Sequence, residues 1–489
     1  MILFVLVVCL YGVSVFGGFV QDDRRIILGD PTMGKIDGLV ESWISPYYRK
    51  SPDSGAYRPL TSFSLAVDAL VFGGKAWGFR LVNVLIFGLV VLGVYELGKR
   101  IFKEDILAFG LAVLFAVFPI HTEAVSNIVG RGELLAGGLV VMSLVLVLEK
   151  KWEMGMFLWF LALLSKESAM VWILPTVIAI GRSGERKDKK IGLMVIGGIV
   201  TVGYFLLRWG VLGNSIFADN ATMVENPLKY VGTVQRMMAG IGLVAFGVVK
   251  TLFPIQLSYD YSFDQLKLSS LTTGWFGLGV FLILLSIWLW RNNIKALNWG
   301  LAFLWLPLMV TGNILKPIGT IFGERLWLLP SLGVGMVVVM IMDALMKKGK
   351  VCIDSCLRRN DKRDQGVTVL LGMILLMYAG RAFVRNLDWL SEDRLFRHDA
   401  EVVTGSVMAQ NNAAAMYLME KQPDRAKIYL DKAEMIYSKY PELMNNMGIY
   451  FWQKGDLENA RMRFEECLKS YPGYQLCAGN LADLGAGVK

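Results

Sequence analysis

Residues 155–181 read GMFLWFLALLSKESAMVWILPTVIAIG, an apolar stretch of 27 residues broken near its middle by Ser165-Lys166-Glu167-Ser168. About 20 apolar residues suffice to cross a bilayer as a helix. A lysine and a glutamate at that depth are costly and mark a functional position by default. Lys166 is suited to hold an anionic head group, with Glu167 restraining it. The plainer reading is a tight turn between two short spans. The choice between two spans and a broken helix lining a cavity sets the architecture of the whole chain.

Further apolar runs flank this stretch, at 2–20, 81–98, 106–120, 134–148, 191–208, 231–253, 272–290, 298–315, 322–346 and 367–384. The 489 residues are 55% hydrophobic and 19% charged, against about 25% charged in soluble proteins. The mean hydropathy is +0.49. A single soluble domain, a disordered chain and a fibrous chain are thereby excluded. The expected fold is all-α, a polytopic membrane helical domain of about eleven spans followed by a short C-terminal α-solenoid. Counting 155–181 as two spans gives twelve crossings, so either half of that stretch or 231–253 is expected not to cross. The run 61–73 is short and holds Asp68, which fits an interfacial or re-entrant segment. The run 2–20 lacks the cationic start of a secretory signal and reads as an uncleaved span.

Lysine and arginine in short loops orient the helices. Seven of them lie in 347–366 (Lys347, Lys348, Lys350, Arg358, Arg359, Lys362, Arg363), and others in RSGERKDKK (182–190), KRIFK (99–103) and RNNIK (291–295). These loops are expected to be cytoplasmic. The long first outer loop (21–59), 121–133, 316–321 and the tail after 384 then face the other side. A multi-pass protein of a bacterial inner or cytoplasmic membrane is the expected setting. The net charge of +9 forms no basic stripe with interleaved aromatics, so nucleic acid is not an expected partner. With two histidines and five scattered cysteines, zinc has no support. Cys352 and Cys356 fall in the basic loop, while Cys467 and Cys477 lie in the helical tail, where they are able to pair.

The tail changes character. Asn412, Asn446 and Asn480 are spaced by 34 residues, as are Ala426 and Ala460. Gly448, Phe451, Ala460, Phe464 and Pro472 occupy tetratricopeptide positions, with a last repeat cut short at Lys489. The expected organisation is a membrane domain over 1–386, a connector over 387–405 and tetratricopeptide repeats over 406–489. Two and a half repeats make a marginal solenoid that needs support from the membrane domain or a partner.

Several polar clusters adjoin the apolar runs. Asp22 and Asp23 follow the first run; adjacent carboxylates raise one another's pKa, which suits a general base. The pair also suits a divalent cation, so a metal stays open, and it also suits plain helix termination. Arg58, ahead of Pro59, has the planar fork that grips phosphate or snorkels. His121, Glu123 and Arg131 share one outer loop. Tyr259 and Asp260 follow Phe253-Pro254, and Glu324-Arg325 opens the run at 322–346. No P-loop, dinucleotide fingerprint, G-x-S-x-G or H-E-x-x-H is present.

The segments FVQDDRRII, SGAYRPLTSFSL, FPIHTEAVSNIVGRGELLAG, LLSKESAM, LFPIQLSYDYS, GERLWLLPSLG and RNLDWLSEDRLFRHDA, in that order, resemble the transmembrane and tetratricopeptide-repeat O-mannosyltransferases and their bacterial relatives, which have the GT-C glycosyltransferase fold. The resemblance implies a polyprenyl-phosphate sugar as co-substrate and transfer, by inversion, to a protein hydroxyl or envelope glycan on the outer face. It places the catalytic base on Asp23 or Asp22, the donor phosphate on Arg58, Lys166 and Arg325, and the pocket lining on His121, Glu123 and Glu324. Arg131, Glu167, Tyr259 and Asp260 are added to that lining from the clusters above. Expected partners are membrane lipid, the lipid-linked sugar and an acceptor held by the repeats. The competing reading is a non-catalytic membrane scaffold whose repeats recruit envelope proteins. A transporter would carry paired inverted repeats, which the sequence lacks.

Overall fold

The computed structural model describes residues 1–49, 55–218, 221–292, 294–348 and 362–486. Most of the basic loop at 347–366, with Cys352 and Cys356, lies outside the described residues, as do residues 487–489. Among the described residues all regular structure is helical. The chain runs through α1 (Ile2–Tyr11), α2 (Ile36–Ile44), α3 (Pro59–Val71), α4 (Ala76–Phe102), α5 (Asp105–Val117), α6 (Thr122–Ser126), α7 (Arg131–Leu148), α8 (Trp152–Ser165), α9 (Ile173–Gly181) and α10 (Lys187–Leu212). It continues through α11 (Thr233–Leu252), α12 (Leu268–Thr272), α13 (Gly274–Arg291), α14 (Lys295–Thr311), α15 (Leu328–Lys348) and α16 (Lys362–Asp388). The C-terminal region is built from α17 (Glu392–Val402), α18 (Val407–Met419), α19 (Pro423–Tyr437), α20 (Pro441–Gln453), α21 (Leu457–Ser470) and α22 (Gln475–Gly485).

Six helical segments among the described residues are long and apolar enough to cross a membrane, and a seventh is added if α5 and Pro119–Ser126, bent by 54° at Phe118, count as one. That is fewer than the expected eleven or so, and the shortfall has a physical cause. The stretch at 155–181 folds as Trp152–Ser165 and Glu167–Gly181. A helix of fourteen residues is about 21 Å long at 1.5 Å per residue, short of the roughly 30 Å hydrocarbon core. The first run likewise gives only Ile2–Phe16. Of the remaining runs, α11 carries Arg236 and Lys250, and α14 has only 17 residues.

The broken stretch doubles back. Trp152 Nε1 donates to Glu185 at 3.5 Å, so the start of α8 and the loop after α9 share one end of the molecule. Arg100 and Glu149 pair at that end too. Ser165, at the far end of α8, accepts through its carbonyl from Thr61 Oγ1 at 2.9 Å. Lys166 therefore sits at the opposite end from the cations at 99–103 and 182–190. The amino ends of α3, α4 and α7 lie at that same end, through Thr61, Arg80 and Arg131.

The C-terminal helices pair as hairpins that repeat every 34 residues, from Val407 to Pro441 to Gln475. Gly448 permits the close approach: a Cβ there would lie 2.3 Å from the Phe464 ring. Cys467 and Cys477 form a disulfide that ties α21 to α22. The stretch at 387–405 is no loose connector. It contains α17, whose Leu395 and Phe396 pack in one apolar cluster with Val20, Tyr259 and Trp389.

Candidate functional site

The segment leading to Asp22 and Asp23 is extended and held from both sides. Arg80, buried at the start of α4, donates to the Gly18 carbonyl at 2.6 and 3.1 Å, to Ser14 at 3.3 Å and to Trp389 at 2.9 Å. Gly17 makes room for it, since a Cβ there would meet the guanidinium carbon at 2.8 Å. Gln21 then takes a left-handed conformation (φ 50°) just ahead of the two carboxylates.

Their environments differ sharply. Asp23 is fully buried and accepts backbone N–H groups from Val20 and Val129, each at 3.1 Å. Burial pushes its pKa up to about 7, against the opposing charge of Arg80 and those two hydrogen bonds. Asp22 is half-buried, and among the described residues its carboxylate forms no hydrogen bond. Its charge acts on the Tyr47 and Tyr48 hydroxyls and on Arg325. Of the two, Asp22 is the more accessible, and Asp23 ties its loop to the α6–α7 turn.

The three cations expected at a phosphate converge at this end, each with a carboxylate partner. Arg58 forks onto Glu167, Nε to Oε2 at 3.1 Å and Nη2 to Oε1 at 2.8 Å, with its guanidinium 5.0 Å from the centre of the Tyr47 ring. Lys166 pairs with Glu133. Arg325 pairs with Glu123 through its side chain and donates its backbone N–H to the same carboxylate at 2.9 Å. Asp22, Arg58 and Arg325 all act electrostatically on the Tyr48 hydroxyl, which burial pushes above its ordinary range. Local sequence sets this up: Pro59 at the first helical position suits a helix start and leaves Arg58 just outside it. Arg58 and Arg325 keep 16% and 27% of their side chains exposed. A shallow surface hollow, lined in part by Arg25, Asp30, Tyr47, Tyr48 and Arg49, adjoins the cluster.

The other expected pocket residues are buried and engaged by other partners. Arg131 is fully buried and spends its fork on Asp68, on Asn83 Oδ1 at 2.7 Å and on the Phe79 carbonyl at 2.7 Å. His121 is enclosed by Phe87, Phe115 and Phe118 and pairs with Ser331 Oγ at 2.6 Å. Glu324 is buried and accepts from Ser258 N at 2.7 Å and Tyr261 Oη at 2.6 Å. Tyr259 and Asp260 instead join the membrane domain to the C-terminal helices. Tyr259 Oη accepts from Asn412 at 2.8 Å, and Asp260 accepts from Ser406 and from Ser262 at 2.7 Å. Burial raises Asp260 to about 6 despite those hydroxyls. Each of these five residues is engaged by at least one partner far away in sequence. Among the described residues no group of three or more His, Cys, Asp or Glu is placed to hold a metal ion.

Sequence reasoning passed over Glu133, Tyr47, Tyr48, Arg80 and Asp68 as members of the site or its frame. Glu133 stood in the quoted GRGELLAG segment, and Asp68 was visible as a lone charge in an apolar run. The two tyrosines carried no signal beyond their place in the first outer loop.

Comparison with known proteins bears out the family resemblance. A family model described as dolichyl-phosphate-mannose-protein mannosyltransferase matches residues 52–209, which include Arg58, Lys166 and Glu167. The chain is 26% identical over 396 residues to Protein O-mannosyl-transferase F38B6.6 of Caenorhabditis elegans, covering 78% of this chain and 54% of that protein. It is 24% identical over 468 residues to Protein O-mannosyl-transferase TMTC4 of Mus musculus, covering 81% and 60%. With Protein O-mannosyl-transferase TMTC1 of Homo sapiens it shares 25% over 502 residues, covering 90% and 55%. The chain thus spans a little over half the length of these curated relatives. No solved structure matches.

Proposed function

We propose that this chain, a multi-pass membrane relative of the TMTC protein O-mannosyl-transferases, is a glycosyltransferase that moves a sugar, by the relatives' names a mannosyl group, from a polyprenyl phosphate to a hydroxyl on the outer face. One observation carries the reading. Arg58, from the first outer loop, forks onto Glu167 beside the Lys166–Glu133 pair, at the end of the helices where Lys166 breaks the apolar stretch.

In this reading Asp22 accepts the proton of the acceptor hydroxyl as its oxygen bonds to the anomeric carbon. The bond from that carbon to the phosphate oxygen breaks, and the polyprenyl phosphate leaves with the electron pair. One displacement, with base and leaving group on opposite sides, inverts the anomeric centre. Arg58 and Arg325 supply planar forks for the departing phosphate, and Lys166 adds a buried charge behind them. Their carboxylate partners hold the cations in place while the site is empty. Arg58, paired with Glu167 at the break, keeps the phosphate at the membrane boundary, where a prenyl chain stays in lipid.

The tail is taken as tetratricopeptide repeats that hold the acceptor, on the outer face. The disulfide between Cys467 and Cys477 supports that side, since disulfides persist in oxidising compartments. The reading is tested by incubating the purified chain with radiolabelled polyprenyl-phosphate sugars and Ser/Thr peptides or membrane fractions. Label appearing in protein or glycan supports it. No transfer from any donor, by protein that binds none of them, overturns it.

A further inference from the structure

We propose that Glu392, at the start of α17, is a positioning residue for the carboxylate loop, so that alignment of the base depends on α17 being docked. This rests on the reading of Asp22 as the base. The Glu392 carboxylate straddles the two aspartates: Oε1 accepts from the backbone N–H of Gln21 at 3.0 Å, and Oε2 pairs with Arg24 Nε at 2.9 Å. Gln21 is the residue in the left-handed conformation (φ 50°), which an L side chain rarely adopts unaided. The hydrogen bond therefore holds the backbone at the one point where the direction of Asp22 is set.

The same stretch is held at three further points. Gly18 N donates to the Leu390 carbonyl at 2.9 Å, Arg80 bridges the Gly18 and Trp389 carbonyls, and Val20 packs on Trp389, Leu395 and Phe396. Helix α17 is itself fixed. Ser391 caps it by accepting from Arg394 N at 3.2 Å. Asp399 receives the Arg385 fork at 2.7 and 2.9 Å, the Tyr259 N–H at 2.7 Å and the Ser258 hydroxyl at 3.0 Å. The loop bearing the base, the helix after the last span and the loop touching the C-terminal hairpins are thus joined by one network of hydrogen bonds and packing. The segment between membrane domain and repeats belongs to the active centre as scaffold.

The test measures kcat, donor KM and thermal midpoint for the full chain with Glu392→Ala, Glu392→Gln and Asp22→Asn, using a polyprenyl-phosphate sugar that the wild type accepts. Glu392→Ala is expected to lower kcat by roughly ten- to a hundredfold, the scale of an ångström misplacement, with donor KM and the midpoint little changed. Glu392→Gln, whose carbonyl oxygen still accepts from Gln21 N–H, is expected to recover most of the rate. If Glu392→Ala does not fold, Glu392→Asp keeps the charge, shortens its reach by one methylene and should lose the rate that Glu392→Gln keeps. Wild-type kcat in Glu392→Ala or Glu392→Asp beside an inactive Asp22→Asn overturns this inference alone, as does equal impairment of the Ala and Gln variants. Full activity of Asp22→Asn removes the base, and this inference with it.

Discussion

Replacing Asp23 by asparagine should remove a pH dependence of stability as well as a pair of hydrogen bonds. The buried carboxyl keeps its proton up to about pH 7, against an ordinary value of 3.8. Between those values the native state binds more protons than the unfolded chain, so stability falls as pH rises and levels off above about 7. A shift near three units corresponds to about 4 kcal/mol at 1.36 kcal/mol per unit. In Asp23→Asn that slope is absent. The substitution also turns an amide NH2 toward one of the N–H groups of Val20 and Val129, with a cost of about 1–3 kcal/mol at every pH. The assay is thermal unfolding in detergent, followed by tryptophan fluorescence from pH 4.5 to 8. About 3 kcal/mol of the shift falls within this range, so the wild-type midpoint should fall relative to the variant by about 6 °C, at a scale of roughly 2 °C per kcal/mol. Midpoint curves that stay parallel would refute a buried, proton-holding Asp23.

Three further outcomes follow from the same geometry. Arg58→Ala should raise the donor KM by at least about tenfold, the effect of losing a forked phosphate contact worth about 1.5–3 kcal/mol, while Arg131→Lys should reduce the yield of folded protein instead; binding of labelled donor and detergent chromatography separate the two. Gly448→Val drives a Cβ into the Phe464 ring and should destabilise the C-terminal hairpins by about 1–3 kcal/mol, read as faster proteolysis after residue 406 with the membrane domain intact. Cys467 and Cys477 should resist alkylation in intact cells until a reductant is added, whereas immediate labelling would place the tail in a reducing compartment.

The chemistry-bearing residues were legible in the sequence where a charge interrupts an apolar run. Lys166-Glu167 stand out for that reason and the Asp22-Asp23 pair because it ends one, and the 34-residue spacing of the tail survives as hairpins beginning at Val407, Pro441 and Gln475. Partnerships were not legible. Glu167 meets Arg58 across 109 residues and Glu392 meets Gln21 across 371, and no local pattern encodes such pairs. Burial was equally hidden: Arg131 and His121 look like site residues in the sequence because they are polar, and leave the site because Asp68 and Ser331 consume them. The span count is not confirmed, because hydropathy sums residues without regard to bends and does not register the 54° turn at Phe118 or a stretch that doubles back.

The sharpest test of the account compares Asp22→Asn with Asp23→Asn in single-turnover transfer from a labelled polyprenyl-phosphate sugar. The account predicts that Asp22→Asn folds and binds donor as the wild type does but transfers at least about a hundredfold more slowly, the contribution of a general base. Asp23→Asn should lose stability and a smaller part of the rate. Transfer by Asp22→Asn within a fewfold of wild type would contradict the claim that this half-buried carboxylate is the base.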